Sequence, residues 1–245
     1  MLQIEVGDTF ESWRIAARAL LAAGVEPDAI IWTPTGQGRL FRSLTLPPST
    51  GKAVSVPRQF IKLAEAAACF DSEDKWPLLY RILFRLGFEN KQLLEIESDA
   101  DIRDARLMEK AVNRDVHKFH AFVRFRKIEG QSEEIFAAWH EPQHFTVERA
   151  TPFFTRRFGS MNFSIFTPKG CAHWDKEKLA FSPAAERSAA PDSDEMEDFW
   201  LLYYRSIFNP FRLKIKAMKN EFPVRHWPTL PEAALIPELI RKARS

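Results

Sequence analysis

The 245-residue chain balances 35 Lys and Arg against 33 Asp and Glu, is 45% hydrophobic and has two cysteines. This is ordinary globular composition: bulk charge forces no partner, and two distant cysteines exclude a disulfide framework and a zinc knuckle. No basic leader opens the chain and no run approaches about 20 apolar residues, so the expectation is a cytoplasmic protein with no membrane partner.

Leu2, Ile4 and Val6 alternate with polar residues and predict a strand. Trp13, Ala16, Ala17, Leu20 and Leu21 then recur at helical spacing, and Gly24 ends that helix. Ala29 to Trp32 is a second strand, so the chain begins as a βαβ-like segment. Pro57 opens a helix carrying Phe60, Leu63 and Ala64; a second runs from about Trp76 to Leu86, stopped by Gly87, and a third from about Asp99 to His117. From Phe119 to Arg126 apolar and polar residues alternate and predict a strand. Glu129 to Ser132 is its hairpin turn and Ile135 to His140 the return strand. A helix from about Thr146 to Phe158 follows, then a strand pair made by Asn162–Thr167 and Lys178–Ser182, with His173, Trp174 and Asp175 in the loop between them. The fold class is α+β: a central, mostly antiparallel sheet with packed helices. The organisation expected is a core over 1–182, an acidic linker over 183–198, and a basic helical segment over 199–245 packed on that core. The linker has six acidic residues and one basic; the segment from Phe199 has nine Lys or Arg and three Glu.

Four features carry candidate chemistry. One face of the 119–126 strand would hold His120, Phe122, Arg124 and Arg126, and flat rings beside fixed positive charge suit single-stranded nucleic acid. The alternative is a half-buried strand whose arginines pair with carboxylates. Arg205, Arg212 and Lys216 in the basic C-terminal segment, together with Arg157, suit sequence-independent phosphate contacts, or simply form a solvated helix face. Asp115, His117 and His144 are candidates for general acid or base, and His173 shares that potential. The spacings His117-x2-His120 and His140-x3-His144 suit a transition metal only weakly, since no Cys or carboxylate completes a ligand set. Metal and cofactor content stay open. The 21 Phe and seven Trp make a core, or in part exposed stacking surfaces.

The chain resembles a bacterial family of unknown function described as probable DNA metabolism proteins. The resemblance rests on Phe10, Trp13 and Trp32; Val56-Pro57-Arg58; Leu79-Tyr80-Arg81; Arg114-Asp115-x-His117-Lys118; Ala121 to Arg126; Glu141-Pro142-x-His144; Phe154-x-x-Arg157-Phe158; Trp174-Asp175; Tyr203 to Pro210; and Leu230-Pro231-Glu232-Ala233. It implies DNA as a partner and association with a radical-SAM DNA modification or repair protein. In some members it implies fusion to a uracil-DNA-glycosylase-like domain, and this chain looks like the stand-alone form. Phe163 stands where the family pattern has Trp. Three functions follow as expectations: a nucleic-acid-binding accessory protein, an enzyme that processes damaged or modified DNA through a His/Asp/Arg cluster, and a protein-interaction module.

Overall fold

The computed structural model describes residues 1–7, 9–34, 55–128, 133–190, 223–230, 233 and 235–242. The chain divides into two compact units, 1–114 and 115–245.

In the first unit, β1 (Leu2–Val6) and β2 (Ile30–Pro34) pair in parallel, Leu2 opposite Ile30 and Val6 opposite Pro34. Parallel neighbours need a crossover, and α1 (Phe10–Ala22) supplies it. The Thr9 hydroxyl accepts from the Ser12 N–H at the start of α1. At its end Gly24 has φ +65°, and the amides of Gly24 and Val25 reach back to the carbonyls of Leu21 and Leu20. These two bonds close the helix in the geometry a positive-φ residue permits. The βαβ-like start expected from the sequence is therefore present.

Helices α2 (Arg58–Ala67) and α3 (Lys75–Phe88) complete the layer, with Phe60, Leu63, Leu79, Ile82 and Leu86 inward. Gly87 lies inside α3 rather than ending it; the helix closes at Glu89. Trp13 stacks on Trp76 at 6.0 Å, and the Tyr80 hydroxyl donates to the Val25 carbonyl at 2.8 Å. Burial pushes the Tyr80 phenol above its ordinary range.

Helix α4 (Ala100–Phe122) contributes to both units. It corrects the expectation of a strand over Phe119–Arg126, because the chain stays helical to Phe122. Buried residues recur at Ile102, Ala105, Val112, Asp115, Phe119 and Phe122, a helical repeat set well before the short alternating run begins. A run of eight residues can fit period 2 while its first turn continues a helix, and the longer pattern wins.

The second unit is built on a five-stranded sheet in the order β3 (Arg126–Ile128), β4 (Ile135–Trp139), β5 (Asn162–Phe166), β6 (Cys171–Trp174), β7 (Leu179–Ser182). Three neighbouring pairs are antiparallel. The fourth, β4 with β5, is parallel, and α5 (Val147–Arg157) crosses between them. The expected pairing of β5 with β7 is corrected: β6 lies between them. Thr167 to Gly170 reverse the chain directly after β5, with Gly170 at φ +102°, which places His173 and Trp174 on a strand and leaves Asp175 at the turn. The architecture is α+β with a mixed sheet.

One face of this sheet packs on α5. Phe163, Ile165, Ala138 and Ala172 meet Val147, Ala150 and Phe154, and Phe119 and Val123 of α4 and its end join them. Phe163 is only 2% exposed, so the position where the resemblance leads to an expectation of Trp is a core position here. A second cluster gathers Phe122, Leu230, Ala233 and Ile236, the last on α6 (Ile236–Lys242). Of the sequence-predicted linker and C-terminal segment, 191–222 lie outside the described residues, and with them Arg205, Arg212 and Lys216.

Candidate nucleic-acid interface

The predicted site residues sit at the end of α4 and around it, but do not form one strand face. His120 points at α5. Its Nε2 lies 3.0 Å from the Ala150 carbonyl, and its ring stacks on Phe153 at 4.3 Å. That ring face is occupied by protein and offers no open platform for a base. Phe122 is 6% exposed and belongs to the C-terminal cluster, with its ring 4.9 Å from that of His226. Arg124 donates to the carbonyls of Ala121 at 2.7 Å and Val123 at 3.2 Å, closing the C-terminal end of α4, where cations are favoured by the helix dipole. Arg126 opens β3 and is 6% exposed.

The acid–base candidates also separate. Asp115 is 2% exposed, and its carboxylate accepts from the amides of Gln143 (3.0 Å) and His144 (3.1 Å) and from the Thr146 hydroxyl (3.0 Å). These bonds tie the segment after β4 to α4, which is an anchoring arrangement. His117, two residues on, is exposed on another side of the helix, and His144 is half-buried. Among the described residues, no group of three or more His, Cys, Asp or Glu is placed to hold a metal ion.

What the structure brings together instead is positive charge on the outer faces of α4 and α5. Arg149 and Arg156 are seven residues apart on α5, hence on one side of it, and both are exposed, as is Arg157. Phe153 lies between them and carries the His120 ring. Burial lowers the pKa of His120, and the nearby His117 and Arg156 charges lower it further. Both His117 and Arg156 thus lie within electrostatic reach of the same imidazole. Sequence reading proposed Arg157 but missed Arg149 and Arg156; the i, i+7 spacing of arginines on a helix with a buried opposite face was the available signal.

Behind this surface lies a buried pair that sequence reading did not join. His140, 1% exposed, follows β4, and His226, 2% exposed, comes from the 3-10 turn Val224–Thr229. Their rings are 5° from parallel with centroids 5.4 Å apart, and Phe119 covers His140 at 4.4 Å. Neither ring nitrogen of His140 has a hydrogen-bond partner among the described residues. Arg225 donates from Nε to His226 Nε2 at 3.1 Å, which requires that nitrogen to be unprotonated. Burial first, then the neighbouring charges, push His140 down to about 3 and His226 down to about 4, so both rings are neutral.

The sequence model of DUF4130, described as a domain of unknown function, matches residues 73–232. This chain belongs to the DUF4130 family. The match includes every site residue described above from α4 to His226, so the anchoring carboxylate, the basic helix faces and the buried histidine pair are all parts of the DUF4130 region. No curated protein and no solved structure matches the chain. Among the described residues of this DUF4130 protein, no helix is long and apolar enough to cross a membrane.

Proposed function

We propose that this protein is a DNA-metabolism accessory factor that binds the nucleic-acid backbone through the outer faces of α4 and α5. The observation that carries the reading is the convergence of His117, Arg156 and the half-buried His120, with Arg149 and Arg157 exposed on the same short helix. Phosphate contacts need mobile exposed cations rather than a shaped pocket, and arginines on a rigid helix meet that need. Arg124 and Arg126, whose side chains are engaged in the fold, play a secondary part; Arg205, Arg212 and Lys216 would extend the basic surface. The resemblance to DNA metabolism proteins supports the same reading. It adds a radical-SAM modification or repair protein as the working partner, and a uracil-DNA-glycosylase-like protein as a further one.

Fluorescence anisotropy with single- and double-stranded DNA across a salt series tests this. Each phosphate contact contributes about 0.7 to the logarithmic salt slope on single strands and about 0.9 on duplex. The triple variant Arg149→Ala, Arg156→Ala, Arg157→Ala is expected to flatten the slope by about two to three such contributions. Binding with the wild-type slope in that variant places the contacts elsewhere, and no binding at low salt rejects the function.

A further inference from the structure

On the sheet face turned away from α5, strand register assembles a second polar group, apart from the basic helix faces. Ser164 on β5 lies opposite His173 on β6, and Ser182 ends β7 beside it. The imidazole sits between the two hydroxyls: Nδ1 is 2.9 Å from Ser164 Oγ and Nε2 is 2.8 Å from Ser182 Oγ. A neutral imidazole accepts at one nitrogen and donates at the other. In the tautomer protonated on Nε2, Ser182 accepts and Ser164 donates its proton to Nδ1. The Ser164 oxygen is then a hydroxyl already hydrogen-bonded to a base. Ser164 and His173 line an open cleft of about 470 Å3 with Ile135, Ala180 and Lys178.

We propose that Ser164 and His173 form an acyl-transfer site, with Ser164 as nucleophile, His173 as general base and Ser182 as the positioning residue that fixes the tautomer. Carboxylates of Glu133 and Asp175 line the cleft against the single ammonium of Lys178, so its charge disfavours anionic substrates. The class it would take is a neutral or cationic carboxylic ester with a small acyl group. In the first half-reaction Ser164 Oγ bonds to the carbonyl carbon as its proton passes to Nδ1. The carbonyl electron pair moves onto oxygen, beside the new imidazolium in a cleft whose lining also includes Lys178. Collapse breaks the ester C–O bond, and the leaving alcohol takes the proton from Nδ1. Water then attacks the acyl-serine in the same way, releasing the carboxylic acid and restoring the serine. A serine rather than a carboxylate backs the imidazole, so the imidazolium gains less than in an Asp-backed triad and turnover is slow.

A fluorophosphonate probe tests this on the full chain: attack forms the Ser164 Oγ–P bond, breaks P–F and passes the proton to His173, leaving a mass tag. Peptide mapping is expected to find the tag on Ser164, with none in Ser164→Ala. His173→Gln keeps a polar side chain but no base, and is expected to slow labelling about a hundredfold and remove its pH dependence. Ser182→Ala should slow labelling and move the midpoint of the pH profile, and Ser182→Thr should restore both. Hydrolysis of p-nitrophenyl acetate is expected to follow the same order. Wild-type protein tagged no faster than Ser164→Ala, or tagged mainly elsewhere, overturns the proposal; equal labelling by His173→Gln at every pH overturns the role of His173.

Discussion

The imidazoles of His140 and His226 lie nearly parallel at 5.4 Å, one following a sheet strand and the other in the C-terminal 3-10 turn. Two protonated rings at that distance would repel, and Arg225 and Lys118 add positive charge against Asp115 and Glu141. The arrangement holds only while both rings are neutral. Their folded values, about 3 and about 4, lie below the ordinary 6.5. Between those values the unfolded chain binds more protons, so stability rises with pH there and is lost as pH falls from about 6.5 toward 4. Each group contributes a slope of at most about 1.4 kcal/mol per pH unit. Urea denaturation from pH 7 to 4 is expected to show that loss, and His140→Phe to reduce it. A wild-type midpoint independent of pH in this window rules the arrangement out.

Asp115 separates an anchoring role from a catalytic one. Its carboxylate serves three donors while buried, so Asp115→Ala strands the amides of Gln143 and His144 and the Thr146 hydroxyl. The expected loss is about 3 kcal/mol or more, measured by chemical denaturation. Asp115→Asn keeps an acceptor oxygen and should lose less. A variant of wild-type stability that had lost an activity would instead mark Asp115 as a reacting group.

Most of the fold was legible because it is local. Hydrophobic periodicity marked α1, apolar runs bounded by Pro and Gly marked α2 and α3, alternation found β1, and β2, β4, α5 and β5 were placed in their order along the chain. The end of α4 was misread since Phe119, Val123 and Phe125 satisfy both periods over so short a run; only the buried positions from Ile102 onward decide it. The sites were less legible because they depend on register and packing. Ser164, His173 and Ser182 are ordinary residues until β6 is inserted between β5 and β7. His140 and His226 are distant in sequence, and nothing in either neighbourhood announces the other.

Phe122 looked like a base-stacking ring, but it packs against Leu230, Ala233 and Ile236. Removing it should act on folding rather than on nucleic-acid contact. Phe122→Ala is expected to cost about 3–5 kcal/mol, while Phe122→Leu, which keeps much of the volume, should cost less. DNA affinity measured on the Leu variant should match wild type. A large affinity loss in a stable Phe122→Leu protein would return this ring to the interface.

In the first unit, Asp99 combines a helix cap with an ion pair. Its Oδ1 accepts from the Ile102 amide at 3.2 Å in the first turn of α4, and Arg85 grips both oxygens, at 2.6 and 3.1 Å, while also reaching Asp101. The Arg85 hydrogen bond is the main reason the Asp99 carboxyl titrates below its ordinary range. A depressed carboxylate contributes stability that is complete above the unfolded value near 4 and is lost as pH falls through the folded value. The window therefore opens near pH 4, where most of the histidine pair's contribution has already been lost. Asp99→Ala should cost about 1–2 kcal/mol at pH 7 through the lost cap and pair. Asp99→Asn retains the cap and should cost less. If acid unfolding below pH 4 is equally steep in Asp99→Ala and wild type, the Arg85–Asp99 pair contributes no stability to the unit.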